Sequence, residues 1–160
     1  MKKDNDYLYQ FEYVIENIWR LIHLQDNNPF SDTFGCMDYK FWRDKSVDFA
    51  DARYQEASAT IGILCSKNFD FLRRSKKIPP LNRTYNAFSA GVRYWSKIQN
   101  KDGSFDEWYK GERGFAATEF SLIAFGLAYF FLQGRLQKKD EEILRLTSLR
   151  AANWLSKRDD

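Results

Sequence analysis

The chain has little of what breaks or staples a fold: 3 prolines, 8 glycines and 2 cysteines in 160 residues. So few interruptions favour long helices over a turn-rich β architecture. Cys36 lies in a loop-like stretch and Cys65 in an apolar run, so they form no disulfide framework. Cys65 follows Ile63-Leu64 and reads as a small buried hydrophobe in a reducing compartment. No apolar signal core follows Met1-Lys2-Lys3-Asp4-Asn5-Asp6, and the expected location is the cytoplasm. The single histidine, His23, is distant in sequence from both cysteines, which argues against a metal site; no cofactor is expected. Charge of one sign is also lacking. The 25 basic and 22 acidic residues are interspersed for a net charge of +3, leaving no nucleic-acid footprint. The densest basic run, Arg73-Arg74-Ser75-Lys76-Lys77, precedes Ile78-Pro79-Pro80 and reads as an exposed connection. Nor is there a membrane span: Phe120 to Leu132 is almost wholly apolar but falls short of the roughly 20 residues a bilayer requires. A buried core helix is expected there.

What the chain has in plenty is aromatic side chains, 14 Phe, 9 Tyr and 5 Trp, which either fill a core or line a groove. Apolar residues at Leu8, Phe11, Val14, Ile15, Ile18, Trp19 and Ile22 recur with helical period and predict an amphipathic helix over 7–25. Asp26-Asn27-Asn28-Pro29 stops it, and a long aromatic-bearing connection runs to about Asp48. A second helix over 51–65 is rich in Ala, Ser and Gly, which suits close approach by its neighbours. A third follows the proline pair, with Tyr85, Phe88, Val92, Trp95 and Ile98 on one face. A fourth over 115–133 is apolar on nearly all sides, and a fifth over 140–157 is amphipathic.

The chain also repeats itself. Gly35-Cys36-Met37-Asp38-Tyr39-Lys40-Phe41-Trp42 is echoed by Gly103-Ser104-Phe105-Asp106-Glu107-Trp108-Tyr109, and Glu56-Ala57-Ser58 by Glu119-Phe120-Ser121. Tyr94-Trp95-Ser96-Lys97 is matched by Trp154-Leu155-Ser156-Lys157. A recurrence of this length with helical periodicity predicts stacked helix pairs in an all-α single domain over 1–160, with repeats at about 7–66, 82–134 and 138–160. Amphipathic helices fall outside and apolar ones within.

Tyr94, Trp95, Gln99, Gly103 and Phe105 resemble the QW motif of terpenoid cyclases, with Phe105 in place of the Trp. The layout resembles the α/α-toroid proteins more broadly, a group that includes terpenoid cyclases, protein prenyltransferases and heparinase-type polysaccharide lyases. The resemblance implies a partial toroid of two and a half repeats, in which Gln99 fastens an outer helix to the following turn and Phe105 stacks near it. It implies no terpenoid-protonating site, because the Asp-x-Asp-Asp motif is absent. Polysaccharide-acting members place acids, aromatics and arginines on loops and inner-helix starts, and both repeat loops have that composition.

The catalytic candidates are therefore the carboxylates Asp106, Glu107, Glu112, Glu119 and Glu56. Glu56 and Glu119 also suit a capping role near a helix start, and Asp38 and Asp106 a loop-stabilising one. Tyr39, Trp42, Trp108 and Tyr109 offer ring faces to sugars, and Arg53 and Arg113 pair with carboxylates of uronic acids. Three function classes stay open: a glycan-binding or polysaccharide-processing protein (lyase or hydrolase-like), a non-catalytic helical scaffold, and a terpenoid- or prenyl-handling protein. The expected partners are a carbohydrate ligand and, over the open edge of the array, either a homodimer mate or further C-terminal repeats.

Overall fold

The computed structural model describes residues 3–74 and 77–158, with side chains over 13–71 and 77–158. Leu8 and Phe11 of the first amphipathic face, and most of the basic run at 73–77, lie outside the described side chains. Among the described residues the fold is all-α and strand-free: α1 Lys3–Leu24, α2 Tyr39–Trp42, α3 Ala52–Ile63, α4 Leu81–Ile98, α5 Phe115–Phe131 and α6 Lys138–Leu155, with a 3-10 segment at Lys67–Arg74. The helix ends follow local chemistry. The Asp51 carboxylate caps α3 by accepting from the Arg53 amide at 2.7 Å. Pro80 stands immediately before α4, where its missing N–H costs nothing.

The five long helices form two layers. α3 and α5 lie side by side; α4 packs on α3, α6 on α5, α4 touches α6, and α1 packs on α3. The small residues expected on α3 permit this: a Cβ on Gly62 would overlap the Phe88 ring, and one on Gly91 would overlap the Ser58 side chain. Between the layers the fully buried Trp95 stacks on Phe125 at 4.2 Å and on Phe105 at 5.3 Å between ring centroids. Cys36 and Cys65 are buried, free thiols.

The repeat is written in hydrogen bonds as well as in residues. Gln99 Nε2 donates to the Gly103 carbonyl at 2.9 Å and to Thr147 of α6 at 3.0 Å, the fastening that the motif implied. Gln25 does the same one repeat earlier, donating to the Gly35 carbonyl at 3.2 Å and to Ala87 of α4 at 3.0 Å. The two glutamines thus tie the end of α1 to α4 and the end of α4 to α6, each also holding the intervening glycine turn. The starts of α3 and α5 match too. The Met37 amide donates to Gln55 Oε1 at 3.1 Å and the Phe105 amide to Thr118 Oγ1 at 3.0 Å.

The long connection after α1 is present as expected, whereas the buried helix expected over 120–132 needs correcting. The connection after α1 is ordered by its own contacts: Asp26 and the Gly35-Cys36 pair exchange backbone hydrogen bonds at 2.9 Å, α2 interrupts it, and the Trp42 indole donates to the Leu24 carbonyl at 2.9 Å. The α5 helix is enclosed on one side only. Ala117, Thr118, Ser121, Phe125 and Ala128 are buried, while Phe120, Ile123, Leu127 and Phe130 are 46–64% exposed along the opposite face.

Candidate functional site

The start of α3 and the two repeat loops converge at one end of the helix array. The Ala52 amide donates to the Asp106 carbonyl at 3.1 Å, which draws the second loop across the first inner helix. Asp38, almost fully buried, receives the Lys40 and Phe41 amides on one oxygen and the Asp51 amide, at 3.1 Å, on the other. The outcome is a cleft of about 320 Å³ lined by Asp38, Lys40, Val47, Phe49, Asp51, Tyr54, Glu107 and Trp108. Larger clefts lie beside Tyr85 and Arg135, at about 590 Å³, and between α1 and Thr60, at about 350 Å³. Neither gathers carboxylates with exposed rings.

The electrostatics of this cleft are unusual for a protein surface. Burial pushes the Asp51 carboxyl up to about 6, helped by the negative charges of Glu107 and Asp38, against the opposing Arg53 amide bond. Burial likewise raises Glu56, with Glu107 adding to the rise and the neighbouring Arg53 guanidinium, 3.0 Å away, opposing it. Asp51 therefore keeps its proton to a higher pH than an ordinary aspartate, beside a second carboxylate, the arrangement general acid–base chemistry uses. Trp108 is 77% exposed and Tyr54 44% exposed, the latter with the Lys40 ammonium 5.9 Å over its ring, so Trp108 offers the freer aromatic surface at the cleft wall.

Of the catalytic candidates, Glu107 lies in the cleft and Glu56 sits one turn into α3, within electrostatic reach of Glu107. Asp106 is occupied as a loop clasp: its oxygens receive Asn100 Nδ2 at 2.9 Å, the Arg113 amide at 2.9 Å and the Gly111 amide at 2.7 Å. Glu112 is engaged in the same way by the Glu107 and Trp108 amides at 2.9 and 2.8 Å, and so sets where those two residues stand. Glu119 is part-buried inside the first turns of α5 and does not line the cleft. The capping role considered for Glu56 belongs to Asp51 instead, because Glu56 pairs with Arg53.

The binding candidates divide similarly. Trp108 lines the cleft and the exposed Tyr109 is next to it in the loop. Tyr39 and Trp42 pack edge to face at 5.5 Å, with the Arg43 guanidinium over Tyr39, and the Trp42 indole is spent on Leu24. Arg53 lies 4.2 Å over the Phe120 ring and pairs with Glu56. Arg113, in the left-handed region at φ 58, pairs with Asp102 at 3.4 Å. Both arginines meant for uronates thus face internal acids. Asp51, Tyr54, Phe49 and Lys40 were missed. A helix-capping Asp at position 51 was readable from the sequence; the 54-residue reach from Ala52 to Asp106 that builds the cleft around it was not.

No group of three or more His, Cys, Asp or Glu side chains among the described residues is placed to hold a metal ion. No described helix is long and apolar enough to cross a membrane. Comparison of the chain with protein-family models, curated proteins and solved structures returns no match.

Proposed function

We propose that this chain is a glycan-recognising unit of the α/α-toroid kind, with the cleft at the start of α3 as its sugar site and Asp51 and Glu107 as an acid–base pair acting on a glycosidic linkage. The single observation that carries the reading is that the Trp108 and Tyr54 rings line one cleft with a carboxyl group that burial pushes up to about 6. Rings stack on the apolar faces of sugars, and a carboxylic acid beside an ionised partner can protonate a leaving oxygen. Among the described residues Lys40 is the one cation lining the cleft, against Asp38, Asp51 and Glu107, so neutral or amino-bearing sugars suit it better than uronates. The same acidic walls disfavour a terpenoid chain, which calls for an apolar cavity. In this reading the paired inner and outer helices, with their glutamine fasteners, are the toroid scaffold and Glu112 is a positioning residue for Glu107 and Trp108.

The test is calorimetric titration with neutral, amino-bearing and uronate oligosaccharides, together with an assay for newly formed reducing ends. Trp108→Ala should weaken binding about tenfold or more, and Asp51→Asn should leave binding in place while abolishing bond cleavage. Binding by none of the three sugar classes removes the glycan reading. Binding without turnover in the native protein reduces it to recognition alone. A scaffold role is the second reading, favoured by the exposed face of α5.

A further inference from the structure

We propose that the cavity of about 590 Å³ between the start of α4 and the turn before α6 binds the adenine base of a nucleoside. Two flat side chains from different elements line it, and both are held still. Tyr85 of α4 packs edge to face on the buried Phe88, 6.0 Å between ring centroids. Its hydroxyl donates to the Asp140 carboxylate at 3.1 Å and accepts the Gln137 amide at 2.8 Å. Arg135 donates to the Cys65 carbonyl at 2.9 Å and to both oxygens of Asp70, a fork that fixes the plane of its guanidinium. Aromatic rings and guanidinium planes are the surfaces on which bases stack. With both already locked in place, little side-chain ordering is left for a ligand to impose.

The polar chemistry of the wall selects the ligand. Asn82 and Asn86 lie one turn apart on α4 and Gln137 stands at the start of α6, so three carboxamides line the same cavity. Asn82 Oδ1 accepts from the Arg83 amide at 2.8 Å, whereas the Asn86 and Gln137 side chains form no hydrogen bond with any described residue. A carboxamide sets a donor beside an acceptor, the pattern that pairs with the amino group and ring nitrogen on the edge of adenine. Net charge plays no part. Arg135 is the one charged side chain among the described lining residues and Asp70 answers it, which favours an uncharged ring over a carboxylate or phosphate. Leu81 and Tyr85 supply the apolar surface that a flat heterocycle covers.

This cavity stands apart from the proposed sugar cleft. Cys65, just past the end of α3, lines it, while the sugar cleft lies at the start of α3. The 12 residues of α3 hold the two about 18 Å apart, so the glycan reading and this one stand or fall separately.

Titration of the full chain with adenosine, followed by nuclear magnetic resonance of the backbone amides, tests the assignment. Saturable binding is expected below millimolar concentration, with shifts at Tyr85, Asn86 and Gln137 and none at Asp51 or Trp108. Asn86→Asp and Gln137→Glu keep side-chain size at exposed positions, so both variants should fold as the native chain does by circular dichroism. Each exchanges an amide donor for a charged acceptor and should weaken adenosine binding by about tenfold. Adenosine monophosphate should bind within about threefold of adenosine, and ribose alone should not bind. Five results would each overturn the proposal: no saturable adenosine binding, shifts confined to the sugar cleft, native affinity in both variants, a preference for the monophosphate beyond about tenfold, which marks an anion site, or ribose binding as tight as adenosine, which marks a sugar site.

Discussion

Replacing Gly35 by alanine tests the fastening between repeats at its tightest point. Gly35 has φ +93, and a Cβ there would run into the Ala90 carbonyl of α4, a backbone group that cannot rotate away. The left-handed conformation alone costs an L-residue about 1–2 kcal/mol. Crowding against fixed atoms adds about 1–3 kcal/mol. The Gly35 carbonyl also receives Gln25 Nε2 at 3.2 Å and Gln55 Nε2 at 2.9 Å, so any shift that relieves the clash strains two buried hydrogen bonds. A total of about 3–5 kcal/mol is expected. Two other glycines calibrate the measurement. Gly111 has φ +83 with no atom within 4 Å of a Cβ, so Gly111→Ala should cost only the conformational part, about 1–2 kcal/mol. Gly126, inside α5 and also open within 4 Å, should gain about 0.5–1 kcal/mol from alanine. The assay is urea unfolding, with midpoints compared at constant m-value. Should Gly35→Ala prove no costlier than Gly111→Ala, the close approach of the turn to α4 is wrong, and the glutamine fastening with it. Gly103→Ala repeats the test in the second copy, where a Cβ would meet the Arg150 carbonyl of α6.

Two further outcomes follow from burial and charge. Because the folded Asp51 pKa, about 6, lies above its ordinary value of 3.8, the folded chain binds the extra proton between these values. Its contribution therefore favours folding below about pH 4 and is lost as pH rises through 6. Asp51→Asn, which keeps an effective helix cap, should flatten the change in melting temperature between pH 4 and pH 7 relative to the native chain; identical slopes would refute the raised carboxyl. In the core, Ile61 is fully buried and Leu127 is 48% exposed. Ile61→Ala should cost about 2–5 kcal/mol, and Leu127→Ala about 1 kcal/mol or less, by chemical denaturation. Equal costs would contradict the placement of α5.

The helices were legible because their apolar periods are long and their ends carry local signals, such as Asp26-Asn27-Asn28-Pro29 after α1 and the proline pair before α4. What sequence reading lost was register between distant segments. Gln99 stands four residues before its glycine and was readable as a fastener; Gln25 stands ten before Gly35, and the longer loop hid an equivalence that only the shared hydrogen-bond pattern restores. The same limit separates the carboxylates. Asp106, Glu112 and Glu107 sit within seven residues and have one composition, yet the first two are consumed by loop amides and the third is left to face Asp51. Composition places acids in a loop; the geometry of the loop amides decides which acid stays free. In this fold that decision rests on the bond from Ala52 to Asp106, which carries Glu107 and Trp108 across to α3. The cleft is thus a consequence of the repeat: two similar loops, each closed by its own aspartate, meet over the start of α3 and leave their remaining acids and rings between them.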